Sequence, residues 1–123
     1  MRDDNVVLAK SFDFAVRIVR LYNYLTTAKS ERVMSKQLLR CGTSIGANIN
    51  EAQESISSKE FGAKIYIALK EARETEYWLR LLVASGIITP TEFASINADC
   101  EQILKLLTAI TKTLRSKSAP ASK

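Results

Sequence analysis

The side chains able to do chemistry in this chain are few, and they fall on a handful of spacings. Ser44, Asn48 and Glu51 are separated by helical steps, which stack their polar groups up one face. Glu71 and Glu74 form the nearest thing to a carboxylate pair, which general acid–base catalysis would need to find inside a pocket. Cys41 and Cys100 are the two cysteines, and histidine is absent. Without imidazole there is no Ser-His triad, no histidine acid or base, and no zinc site built on one. Two cysteines are too few for a thiolate metal quartet or a disulfide scaffold. Both lie in apolar periodic segments that suit a small buried hydrophobe. Glu51, with no nucleophile or metal partner, reads as one member of a hydrogen-bonded network with Ser44 and Asn48 at a helix or subunit boundary. Polar groups in such a place fix register. The residues argue against an enzyme and imply no cofactor.

A second set of residues is cationic. The 123 residues carry 18 Lys and Arg against 13 Asp and Glu, a formal charge of +5. Lys10, Arg17 and Arg20 share one polar face of the first helical segment, while Arg32, Lys36 and Arg40 run along the start of the second. These six are candidates for phosphate contacts to RNA or DNA. In the third segment the charge divides. At 100° per residue, Glu60, Ile67, Glu71, Glu74 and Trp78 fall on one flank; Tyr66, Lys70, Arg73, Tyr77 and Arg80 fall on the other. Intrahelical pairs such as Lys70 with Glu74 account for the charges at a few tenths of a kcal/mol each. They do not account for Ile67 and Trp78 outside the core stripe, since a lone Trp usually finds burial. If the acidic flank of one subunit met the basic flank of the next, the contact would be heterologous and could close into a ring. Glu71, Glu74, Trp78, Tyr66, Arg73, Tyr77 and Arg80 are thus subunit-interface candidates.

The elements that must position these groups are helices. Between Asn5 and Arg115 the apolar residues repeat at helical spacing, with four glycines and two prolines in the whole chain. Four segments emerge, about 5–27, 36–55, 58–85 and 90–115, leaving a Ser-, Ala- and Lys-rich tail at 116–123 that is expected to be disordered. The fourth carries Phe93, Ile96, Cys100, Ile103, Leu107, Ile110 and Leu114 on one stripe. Thr89 is its N-cap, Pro90 its first residue and Glu92 the closing member of a capping box. The third carries Phe61, Ile65, Ala68, Ala72, Thr75, Leu79 and Leu82, with a box from Ser57 and Glu60 and a stop at Gly86. The second puts Leu38, Ile45, Ile49, Ala52 and Ile56 on one side. Gly42 and Gly46 inside it mark either a close approach by another helix or a break. The first is apolar around nearly half its circumference, more than the roughly 100° a bundle helix needs; the surplus asks for another partner.

Short connections force antiparallel neighbours, so the expectation is one domain over residues 1–115: an all-α, up-down-up-down four-helix bundle roughly 30 to 40 Å long. The acidic N-terminus lacks the apolar stretch of a secretory signal, and the longest charge-free run, Leu81 to Thr91, is far short of a membrane span. A cytoplasmic protein with no membrane partner is expected.

The run from Lys36 to Ala52 resembles the signature of the bacterial four-helix-bundle family first met as proteins encoded by intervening sequences within 23S ribosomal RNA genes. Its Ser-Ile-x-x-Asn-Ile-x-Glu pattern is matched by Ser44, Ile45, Asn48, Ile49 and Glu51, and Ile67 to Leu82 is similar to the family's third helix. The likeness spans about Ser11 to Arg115, with Ala52 where many relatives have Gly. It implies a ring-shaped homopentamer with no known enzymatic activity. A related branch of the family serves as accessory protein to the reverse transcriptase of diversity-generating retroelements, and there the basic ring is similar to a nucleic-acid and polymerase-binding surface. Two functions follow as expectations: a non-enzymatic oligomeric scaffold that binds RNA or DNA through its basic surface, or a protein–protein scaffold without nucleic-acid binding. A pentamer would multiply the basic charge fivefold, enough to attract a polyanion at low salt.

Overall fold

The computed structural model describes residues 2–118, and these form four helices: α1 (Arg2–Thr27), α2 (Met34–Ala52), α3 (Ser58–Ala84) and α4 (Pro90–Ser118). No strand occurs among the described residues. Cross-helix contacts fix the directions. On α1 and α2, Ile18 lies against Gly42 and Ser11 against Gly46. On α2 and α3, Arg40 reaches Glu74 while Glu51 reaches Lys64. On α3 and α4, Glu76 faces Asn97 and Gly62 faces Leu114; on α4 and α1, Asp99 meets Arg17 while Gln102 meets Lys10. In every pair the numbers run in opposite senses, so all four neighbouring pairs are antiparallel. Each helix packs on two others and no diagonal pair touches among the described residues.

The core is the set of apolar stripes turned inward. Phe14, Ile18 and Leu25 of α1, Leu38, Ile45 and Ile49 of α2, Ile65, Leu79 and Leu82 of α3, and Ile103, Leu107 and Ile110 of α4 are fully buried. Burying each such side chain contributes about 1.5–3 kcal/mol. Cys41 and Cys100 join this core as free thiols. Burial pushes them up to about 11 and about 12 respectively. Gly42 and Gly46 sit where α1 comes closest. A Cβ at Gly42 would lie 2.9 Å from Ile18 carbons, and one at Gly46 would lie 3.4 Å from the Ser11 carbonyl oxygen. Of the two readings open for these glycines, close approach holds, and α2 is unbroken through both.

The ends of the helices follow local chemistry. Thr89 Oγ1 accepts from Glu92 N–H and Glu92 Oε1 accepts from Thr89 N–H, a complete capping box. At α3, Ser57 Oγ accepts from Glu60 N–H, but Glu60 reaches back one residue further, to Ile56 N–H. Gly86 takes a left-handed φ of +75° after α3. Helix α2 departs from expectation at both ends. It starts earlier because Glu31 caps it, and it stops at Ala52, before the extended backbone at Ser57 that starts α3. Ile56, expected on the apolar side of α2, therefore lies in the turn and is 95% exposed. Helix α4 continues through Ser116–Ser118, the start of the segment expected to be a disordered tail; 119–123 lie outside the described residues.

Candidate nucleic-acid interface

Helix α2 presents Arg40, Ser44, Asn48 and Glu51 along its edge with α3, and the structure resolves this ladder into three parts. Arg40 donates to Glu71 Oε1 at 3.3 Å and, more closely, to Glu74. Asn48 Nδ2 donates to the Ser44 carbonyl at 2.9 Å and to Ser44 Oγ at 3.2 Å, a bond within one helix turn. Glu51 does not join them; it accepts from Lys64 of α3 at 2.7 Å. The network expected of Ser44, Asn48 and Glu51 is thus a local Ser44–Asn48 pair between two interhelical ion pairs.

The acidic flank of α3 is turned toward α2 of its own chain. Trp78 Nε1 donates to Glu74 Oε2 at 3.1 Å, and that indole hydrogen bond, followed by Arg40, holds the Glu74 carboxyl below its ordinary value. The Glu74 carboxylate in turn raises the Arg40 guanidinium, as Glu51 raises Lys64. Trp78 is half-buried against the core. Neither Lys70 nor Glu74 makes the intrahelical pair that their spacing suggests: Lys70 instead lies over the Tyr66 ring, 5.9 Å from its centroid. The basic flank, Tyr66, Lys70, Arg73, Tyr77 and Arg80, is exposed.

The six cations on α1 and α2 divide into engaged and free. Lys10 donates to Gln102 at 3.2 Å. Arg17 binds Asp99 at 2.7 Å and also the Ser95 carbonyl and hydroxyl. Arg40 is held by α3. Arg20, Arg32 and Lys36 form no ion pair among the described residues. Arg17 and Arg20 line a shallow groove between α1 and α4 with Tyr24, Ile88 and Ser95.

Sequence reasoning missed the use made of the acids. Glu31 spends its carboxylate on the start of α2, accepting from Val33, Met34 and Ser35 N–H at 3.0, 2.9 and 2.8 Å. Partial burial works against its charged form, but the three amides outweigh that and hold the Glu31 carboxyl below its usual value. Glu60 and Glu92 are spent on caps, and Glu51, Glu71, Glu74 and Asp99 on ion pairs. Only the Ser57 and Thr89 boxes could have been read from spacing; the ion pairs join residues 13 to 82 positions apart.

No cluster of three or more His, Cys, Asp or Glu side chains that could hold a metal ion occurs among the described residues, and none of their helices is long and apolar enough to cross a membrane. The described residues form an antiparallel four-helix bundle, most of whose described acidic groups cap its helices or tie them together. The chain belongs to the 23S rRNA-intervening sequence protein family, whose model matches residues 3–109. It is similar to a solved protein of unknown function from the S23 ribosomal protein family of Bacteroides thetaiotaomicron. The two are 56% identical, the match covers 89% of this chain and 98% of that one, and the TM-score is 0.88. No curated protein matches the chain.

Proposed function

We propose that this protein is a non-enzymatic, cytoplasmic, ring-forming scaffold, a homopentamer as the family resemblance implies, that binds RNA or DNA through its basic surface. One observation carries the reading: most of the described acids are engaged in caps and ion pairs of their own chain, while a set of exposed cations has no such partner. Caps and ion pairs engage Glu31, Glu51, Glu60, Glu71, Glu74, Glu92 and Asp99. Arg20, Arg32, Lys36, Lys59, Arg73, Arg80, Lys105 and Lys112 have no hydrogen bond or ion pair among the described residues. These unpartnered cations lie on the exposed surface, and repetition of the +5 net charge around an oligomer would multiply its attraction for a polyanion. The test is titration of the purified chain with structured RNA and duplex DNA across a salt series. The reading expects binding that weakens steeply as salt rises; no binding at about 50 mM salt, where phosphate-driven affinity is strong, would overturn it.

A second reading, a scaffold for another protein such as a reverse transcriptase, is favoured by the outer face of α1. Phe12 there is 69% exposed beside a groove shared with α2 and lined by Leu8, Ala15, Gly46 and Ala47. Exposed apolar faces of this kind mark interaction sites. Phe12→Ser is the discriminating variant: a lower mass by native mass spectrometry would assign this face to subunit contact, and an unchanged mass would leave it for a different protein.

A further inference from the structure

The outer stripe of α3 carries Lys59, Tyr66, Lys70, Arg73, Tyr77 and Arg80, all exposed and all within one narrow arc of the helix. It runs about 32 Å along the helix axis. Resting on the nucleic-acid reading above, we infer that this stripe is the binding surface and that it takes single-stranded rather than duplex nucleic acid.

Three observations carry the inference. Tyr66 and Tyr77 stand out from the surface at 45% and 55% exposure, on the same arc and three turns apart, so two aromatic faces are offered to one passing strand. Both rings already have a neighbour. Lys70 lies over Tyr66, and Tyr77 meets the Trp78 ring edge-on at 5.1 Å and 76°. Trp78 is itself pinned through Glu74 to Arg40, so little freedom is lost when a base stacks. The third observation concerns charge. Lys59, Lys70, Arg73 and Arg80 form no ion pair among the described residues, and the acids left unengaged there, Asp13, Glu54 and Glu101, are scattered over different elements. Among the described residues the acids without a partner form no row that a second copy could set against this stripe; a phosphate backbone does present its charges in a row.

Alternating cations and aromatic faces are what an unpaired strand needs, because its bases are free to stack on side chains while its phosphates are neutralised. In a duplex the bases stack on one another and present no face to a tyrosine. At the Lys59 end the stripe opens into a groove of about 670 Å³ between α3 and α4, lined by Gly62, Tyr66, Thr111, Leu114, Arg115 and Lys117. The Thr111 hydroxyl there is buried without a partner among the described residues, a polar group suited to a sugar or base edge.

The experiment uses the full chain with labelled RNA and DNA strands of about 12 nucleotides, within the range of single-strand sites, and the duplexes of the same sequence. Single strands are expected to bind more tightly. Tyr66→Ala and Tyr77→Ala should each weaken single-strand binding about 5- to 100-fold and leave duplex binding unchanged, while Tyr→Phe at either position preserves it. Arg73→Gln should reduce the salt slope by about 0.7. Unchanged single-strand affinity in the Tyr66→Ala/Tyr77→Ala variant would overturn the inference. So would a loss of affinity confined to Arg32→Gln and Lys36→Gln, with nucleic-acid binding itself intact. A drop in oligomeric mass in the tyrosine variants would also overturn it, since the stripe would then be a contact between copies. Failure of the wild-type chain to bind any strand or duplex would remove the broader reading as well.

Discussion

Arg40 of α2 and Trp78 of α3 both donate to the carboxylate of Glu74, so one acid on α3 ties the α2 edge to an indole lying half in the core. The charged pair lies near the surface, where such bonds contribute about 0.2–1 kcal/mol. Arg40→Ala is therefore expected to lower stability by no more than about 1 kcal/mol in denaturant unfolding. Trp78→Ala, which removes packed aromatic area as well, is expected to cost about 3 kcal/mol or more. Equal effects of the two substitutions would show that the indole contributes little packing.

Glu31 stabilises the start of α2 only when ionised. Its folded pKa is lowered from an ordinary 4.5, so its contribution is complete above the ordinary value and is lost as pH falls through the lowered one. The wild-type chain should lose stability below about pH 4.5 more steeply than Glu31→Gln does. Glu31→Gln itself should be less stable at pH 7 by about 0.5–2 kcal/mol, the usual worth of a helix cap. Thermal melts at pH 7 and across the acid range decide both points.

Two glycines should respond differently to alanine. At Gly62 the new methyl would meet Leu114 at an ordinary 3.7 Å, so Gly62→Ala should stabilise by about 0.5–1 kcal/mol through the unfolded chain and helix propensity. At Gly42 the methyl would press to 2.9 Å on buried Ile18. Overpacking of about 1–3 kcal/mol then offsets or exceeds the same propensity gain. Stabilisation of Gly42→Ala by as much as Gly62→Ala would show that α1 moves away freely.

The raised thiol pKa values of Cys41 and Cys100, about 11 and about 12, together with full burial, predict inertness. Alkylation at pH 8 should modify neither residue in the folded chain and both after denaturation. Rapid labelling of either thiol without denaturant would mean that its helix opens locally.

Legibility of the fold in the sequence depended on distance along the chain. Thr89 with Glu92, Ser57 with Glu60, and Gly86 are signals that act over a few residues, and each marks a helix end where spacing places it, though Glu60 takes the N–H of Ile56 rather than that of Ser57. The α2 start was hidden because Val33 occupies the cap position without a capping side chain, while Glu31 reaches forward past it after a left-handed Ser30. The ion pairs were hidden for the opposite reason. Nothing around Arg40 reveals Glu71 and Glu74, some 31 and 34 residues away, so a cation grouped by spacing with Arg32 and Lys36 is in fact engaged by α3. Likewise Glu71 and Glu74, read as one side of a contact between subunits, face their own α2.

The antiparallel return of α4 along α1 places the start of α1, the end of α4 and the α2–α3 turn at one end of the bundle. Ile56 in that turn is almost wholly exposed, and its N–H donates to the Glu60 side chain. The order of the helices in the gene is therefore separable from their order in space. A permuted chain that begins at Ser57 and joins α4 to α1 through a flexible linker should keep every interhelical contact described above, because the entropy of closing a loop rises only slowly with its length.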